Sequence, residues 1–311
     1  MSSASPHSAG AIVLCAGIAV QDLIFRVERF PLPGRKTPAQ DLVIVGGGCA
    51  ANAAVAIARL GGRARYAGPL GGPVGIETLS DRLLADLAHE GVATEGVVRV
   101  DGVTAPVSAI FVDAAGERMI ATRRDPRLAT ARLHDPAGLV ADIGALLVDN
   151  RYPDFVLPLC QAMRRRKRSV IVDADRVTSI GDPLLAIATH VIFSEECLLG
   201  TTGMTELEPA LRKAAAHTGA FIAVTNGPND VLWIEALGLR RMPAFAIKAI
   251  DTLAAGDVFH GAFALALAEG RDERTAMRFA AASSALKCTR FGGIAGAPRR
   301  GEVDAFLAQH G

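Results

Sequence analysis

The residues best placed to do chemistry are Asp251-Thr-Leu-Ala-Ala-Gly-Asp257, which run directly into the apolar stretch Val258-Phe-His-Gly-Ala-Phe-Ala-Leu-Ala-Leu-Ala. Small residues ending in a carboxylate at a helix start bring three things to one point: free backbone N–H groups, the positive end of a helix dipole, and a general-base candidate. That point suits an anionic transition state. Phosphoryl transfer asks a protein for little else: positioning, charge stabilisation and a base for the attacking hydroxyl. The N–H groups of Ala255, Gly256 and Asp257 would form the anion hole, and Asp257 would take the proton. An aspartate before an apolar run is also an ordinary helix N-cap signal. This segment alone therefore does not separate the two readings.

A second feature is Val45-Gly-Gly-Gly-Cys-Ala-Ala-Asn52, followed by an Ala-rich run to Gly61. Three glycines after a strand let backbone approach a ligand closely. Asn52 in the first helical turn offers an amide that both donates and accepts. The run is neither GxGxxG nor GxxxxGK[ST], so the usual dinucleotide and P-loop fingerprints are missing.

The elements that must position these residues read as alternating strands and helices. Ala11–Ala16, Ala145–Val148, Ser169–Val172, His190–Phe193 and Phe221–Thr225 are short apolar strands. Ala50–Leu60, Ile76–His89, Phe155–Arg168 and Glu206–His217 are helical. The pattern predicts an α/β fold, with a mostly parallel sheet covered by helices on both faces. The Arg164–Arg168 run reads as the cationic C-terminal end of a helix. Two stretches break the alternation, about residues 23–45 and 103–123. The second is a hairpin turning at Ala114–Gly116. Together they would form a small antiparallel sheet, a lid over the site.

Composition narrows the function classes. Lys+Arg 33 against Asp+Glu 32 leaves a net charge of +1, and aromatics are 5%. Neither a basic nucleic-acid face nor a set of base-stacking platforms is expected. The five cysteines form no CxxC pair, which points away from a disulfide framework or zinc site. Residues 1–10 show no signal-peptide pattern, and no apolar run is long enough to span a bilayer. The expectation is a soluble cytoplasmic protein, one domain over residues 1–311, with no nucleic-acid or membrane partner.

In this order and spacing, the two glycine-rich motifs resemble those of the ribokinase-like (PfkB) carbohydrate kinases. Gly17-Ile-Ala-Val-Gln-Asp22, Ala58-Arg-Leu-Gly61, Val224-Thr-Asn-Gly227 and Ala285-Leu-Lys-Cys-Thr-Arg290 add to the resemblance, which runs from about Ile12 to Leu307. Within the family the likeness is greatest to sulfofructose kinases, then to ketohexokinases. The resemblance implies a three-layer sandwich with a β-sheet lid, ATP and Mg²⁺ as cofactors, a monovalent cation such as K⁺, and a homodimer formed through the lid. It implies a substrate hydroxyl, primary, on a ketose or an anionic ketose such as sulfofructose.

The resemblance also implies roles. Asp257 would be the base, with Ala254, Ala255 and Gly256 in its anion loop. Asp22, Gly47, Gly48 and Asn52 would hold sugar hydroxyls, while Lys36, Arg151 and Thr122 would face an anionic tail. Ser194, Thr225, Gly227, Thr252, Lys287 and Gly293 would line the nucleotide side, and Glu195 would touch Mg²⁺ through water. The chain departs from the pattern where Ala254 replaces a glycine and where Ser194-Glu-Glu-Cys197 replaces Asn-x-x-Glu. Those departures motivate an alternative, a kinase-fold sensor that binds sugar or nucleotide without efficient transfer. Kinases of 2-keto-3-deoxygluconate, ribose or nucleosides are further alternatives.

Overall fold

The computed structural model describes residues 10–235 and 238–310. In chain order the first half comprises β1 (Ile12–Ala16), β2 (Val20–Arg26), β3 (Asp41–Gly47), α1 (Cys49–Arg59), β4 (Arg63–Gly72), α2 (Thr78–His89), β5 (Ala93–Asp101), β6 (Val107–Val112) and β7 (Arg118–Arg123). There follow α3 (Pro136–Leu139), β8 (Ala145–Asp149), α4 (Pro153–Arg165), β9 (Ser169–Ala174), α5 (Pro183–Ile187), β10 (His190–Ser194), α6 (Glu195–Thr202) and α7 (Leu207–Thr218). The chain closes with β11 (Phe221–Thr225), β12 (Val231–Glu235), β13 (Gly238–Met242), α8 (Ala255–Ala268), α9 (Glu273–Cys288) and α10 (Arg300–Gln309).

Nine strands form the central sheet in the order β13-β12-β11-β10-β9-β8-β1-β4-β5. From β11 to β5 neighbours are parallel, and β12 and β13 add an antiparallel edge. Alternate residues of the strands face opposite helical layers, as the pleat requires. Val13, Cys15, Leu147 and Ile171 pack with α1, α8 and α9. Leu14, Leu146, Val148 and Val170 pack with α4 to α7. Strand order reverses between β1 and β8. In open α/β sheets that switch point leaves a crevice at the carboxyl ends of the strands.

Strands β4 and β5 escape the sequence reading. Arg63–Gly72 is broken by Gly and Pro, and the valines of Ala93–Asp101 are interrupted by Arg99 and preceded by Thr94, Glu95 and Gly96, so neither shows an apolar run. β12 and β13 are missed as well: apolar β12 is only five residues long, and the edge strand β13 carries adjacent arginines. The Arg164–Arg168 run does lie at the end of α4.

The second sheet has the order β3-β2-β6-β7. It is mixed rather than antiparallel, because β2 and β6 run parallel, Asp22 opposite Ser108. β2 follows β1 and β6 follows β5, so both leave the carboxyl edge of the central sheet in the same direction. The intervening body supplies the crossover that a parallel pair needs. Ile24, Ile110 and Val112 on its inner face pack on Leu253, with Phe291 beside them. Arg118 Nη1 adds a bond to the Thr252 carbonyl at 3.3 Å. The lid therefore rests on the loop that precedes α8.

Candidate active site

Helix α8 is apolar almost all round, as a helix wedged between neighbours must be. It meets α1 through small residues. A Cβ on Gly261 would lie 2.6 Å from the Ala53 carbonyl oxygen, so the two backbones nearly touch. This seam explains the alanines of α1 and brings together residues 205 positions apart: Asn52 Nδ2 donates to Asp257 Oδ2 at 2.6 Å. Burial pushes the Asp257 carboxyl up, and the Asn52 bond opposes that shift.

The loop before α8 settles the Ala254 question raised by the sequence. Ala254 has φ 63° and ψ 11°, a left-handed residue at the N-cap. Holding an L-residue there costs about 1–2 kcal/mol. Ala254→Gly should relieve that strain and lose part of the gain to unfolded-chain entropy. The expected net is a stabilisation of up to about 1 kcal/mol, read by urea unfolding. A clear loss of stability would count against the strain.

Of the three proposed anion-hole donors, Ala255 is already spent, its N–H donating to the Thr252 carbonyl at 3.2 Å. The N–H groups of Gly256 and Asp257 carry no bond among the described residues, so the free hole is these two. Thr252 contributes its carbonyl to the loop while its side chain is exposed.

On the lid, Asp22 lies on the inner face of β2 in one cross-strand row with Ser108 and Thr122. Ser108 Oγ is 2.9 Å from Thr122 Oγ1, and Ser108 stands directly opposite Asp22 across the β2–β6 pair. Asp22 is buried and its carboxyl is pushed up to about 7, first by desolvation, with Ser108 opposing and the Asp257 charge adding. The glycine run makes room for it. A Cβ on Gly47 would collide with the Asp22 carboxylate, and one on Gly48, at φ 95°, would strike the Ile18 carbonyl.

Three groups the sequence reading left without roles complete the site. Asp149, at the end of β8, accepts N–H bonds from Ile18 (2.7 Å), Ala50 (3.2 Å) and Arg151 (3.0 Å), and burial pushes it up to about 6. It ties β1, α1 and β8 together at the switch point. Asp173, at the end of β9, is buried and raised well above the carboxylate range by desolvation and its acidic neighbours. Cys49 Sγ and oxygens of Asp173 and Asp257 lie within 4.8 Å of one another. The Cys49 thiol is also raised far above its usual value, mainly by burial. The available signal was a polar residue at the carboxyl end of an apolar strand.

The remaining expected residues are less uniform. Ser194 caps α6 and sits opposite Thr225 across the parallel β10–β11 pair, at the same sheet edge. Gly227, at φ 52°, follows in the open turn beyond β11. Glu195 and Glu196 are exposed at the start of α6, oxygen donors suited to the hydration shell of Mg²⁺. Lys36 is exposed in the loop between β2 and β3 and has no partner among the described residues. Arg151 is not free for a ligand, since its guanidinium is paired with Asp175.

Lys287 does not fit a nucleotide-contact role. It is fully buried, and its ammonium is spent on the Asp251 carbonyl (2.8 Å) and carboxylate (3.2 Å). Gly293 likewise gives its N–H to Asp251 Oδ2. Both build the loop instead of facing the ligand.

This geometry has counterparts. The family model described as pfkB family carbohydrate kinase matches residues 11–300. The chain belongs to the pfkB carbohydrate kinase family. A ribokinase of Bacillus subtilis (strain 168) is 25% identical over 296 residues, covering 94% of this chain and 98% of that protein. Among solved structures, a protein of Agrobacterium tumefaciens provisionally assigned as a ribokinase superposes with a TM-score of 0.92. It is 36% identical and covers 97% of this chain and 99% of that one. A Xylella fastidiosa fructokinase with bound ATP superposes with a TM-score of 0.77, at 25% identity over 96% of this chain and 98% of that chain. The ribokinase-like fold and the phosphotransferase class of this pfkB kinase follow from these likenesses.

Proposed function

We propose that this pfkB kinase transfers the terminal phosphoryl group of ATP to a primary hydroxyl of a small sugar, with a ketose as the preferred class. The observation that carries the reading is Asp257 itself, held by Asn52 beside two unspent N–H groups at the head of α8. Asp257 accepts the hydroxyl proton as the sugar oxygen bonds to the γ-phosphorus, and the bond to ADP breaks. The Gly256 and Asp257 N–H groups receive the equatorial oxygens of the transferred group. Glu195 and Glu196 would hold the water shell of an ATP-bound Mg²⁺, which would supply charge neutralisation on the phosphates. Asp22 and Asn52 bind the other sugar hydroxyls, and Ser194, Thr225 and Gly227 line the nucleotide side.

The deciding experiment is ADP release against a panel: fructose and other ketoses, sulfofructose, ribose, 2-keto-3-deoxygluconate and nucleosides. Ligand-induced thermal shifts with no ADP from any of them would favour the sensor reading instead. An anionic ketose is the narrower reading, carried by Arg151 at the end of β8. Its sulfonate would have to displace Asp175, so Asp175→Asn should tighten sulfofructose binding without changing that of fructose.

Asp22 gives the reaction a pH signature. An ionised carboxylate accepts two hydroxyl donors, whereas a protonated one accepts fewer. With its pKa at about 7 and that of Asp257 also raised, kcat/KM should fall as pH drops below about 7. A profile flat down to about pH 5 would contradict the assignment.

The outer lid face carries Leu42 and Met119, 46% and 40% exposed, with Phe25 stacked on Phe111. Such a face supports a homodimer formed through the lid. Size-exclusion chromatography with light scattering should give twice the 32.4 kDa chain mass, and a monomer at micromolar concentration would refute it. No helix among the described residues is long and apolar enough to cross a membrane.

A further inference from the structure

The family resemblance implies a monovalent cation beside the loop that leads into α8, and the residues here fit one poorly. Such an ion would need bare oxygens at that loop. Asp251 is fully buried, and all of its oxygens are taken. Oδ1 accepts the Leu253 N–H at 2.8 Å, and Oδ2 accepts those of Gly292 (3.0 Å) and Gly293 (2.9 Å). The ammonium of Lys287 then sits 3.2 Å from Oδ2 and 2.8 Å from the Asp251 carbonyl. The facing turn is filled the same way. Arg59 Nη1 donates to the carbonyls of Ile294 (3.2 Å), Ala295 (2.8 Å) and Ala297 (3.1 Å). The rest of its guanidinium binds Glu90.

We propose that Lys287 is a built-in monovalent cation, a positioning residue that organises the phosphate loop from inside the protein and makes this kinase independent of K⁺. A primary ammonium carries one positive charge in a volume close to that of K⁺, and three N–H donors satisfy the oxygens a metal ion would otherwise ligate. It is tethered to α9, so it is present at every concentration of salt. It reaches the chemistry through one continuous segment. Lys287 holds Asp251, Asp251 holds Leu253 and the Gly292–Gly293 turn, and Ala254 next in line sets the first turn of α8. Arg59 does the same for the carbonyls of the neighbouring turn.

The test begins with the unaltered protein. Replacing K⁺ by choline at constant ionic strength should leave Tm unshifted, and nucleotide affinity and the initial rate within about two-fold of their values in K⁺. The Tm arm does not depend on the kinase reading, so a failure of that reading and a failure of this inference are told apart. Activation by K⁺ of about five-fold or more, accompanied by a K⁺-dependent rise in Tm, would overturn the proposal. Lys287→Ala opens a space of the right size and charge. It should lower Tm and kcat with little change in sugar KM, and ammonium or methylammonium should restore both. Lys287→Met fills the space without charge and should not respond to either cation. If Lys287→Ala folds and matches the parent in choline, the role assigned to Lys287 is wrong. If it does not fold, the cation titration of the unaltered protein decides.

Discussion

Asp257→Asn is expected to cut turnover by about 10²–10⁴-fold, the range of a lost general base, while ATP affinity stays nearly unchanged. The amide preserves shape and removes the carboxylate assigned here as acceptor of the hydroxyl proton. In the proposed reading the nucleotide is held on the β10 and β11 side, at Ser194, Thr225 and Gly227, without the Asp257 side chain. Asn52 would face an amide in place of a carboxylate and would keep its bond once that amide turned its oxygen inward. The measurement is single-turnover ADP formation with the best sugar of the panel, alongside calorimetric titration of ATP. Turnover within about ten-fold of the parent would remove Asp257 from the mechanism.

The largest expected effect on stability comes from a residue whose bonds go to the protein's own backbone. Asp149→Ala should cost about 3 kcal/mol or more, because three backbone N–H groups from β1, α1 and the β8 end lose their only acceptor at once. Each buried orphan donor carries a penalty of about 1–3 kcal/mol. For a chain of 311 residues the drop in Tm would be about 5 °C or more. Gly17 shows how closely the backbone is drawn to this carboxylate, since a Cβ there would collide with Asp149 Oδ2. A shift below about 2 °C would mean that water or a local shift replaces Asp149 at little cost.

The legible parts of the chain were those where local chemistry and fold agree. The carboxylate at the head of α8, the glycines that open α1, and the apolar strands β8 to β11 all declare themselves over a few residues. Three kinds of feature did not. β4 and β5 carry glycine, proline and charge where a strand was needed, and only their place in the sheet makes them strands. The parallel pairing of β2 with β6 joins segments separated by most of the N-terminal half, which no local pattern records. The roles of Asp149, Asp173 and Lys287 depend on what lies opposite them in space. Lys287 illustrates the point, because in sequence it is a lysine near a helix end, where an exposed cation is the usual finding. Its burial follows from Asp251, 36 positions away.

The lid's mixed topology has a kinetic consequence. Asp22, Ser108 and Thr122 ride on the same small sheet, whereas Asp257 and Asn52 belong to the rigid helical seam below. If that sheet swings out to release product, it would carry away Asp22, one of the two proposed hydroxyl-binding side chains, and open the exit together. Grip and residence time would then be properties of one moving part, and a substitution that tightens the sugar would also slow the departure of its phosphate. Selection for scarce substrate and selection for throughput would pull on the same few contacts, those of Ile24, Ile110 and Val112 with Leu253.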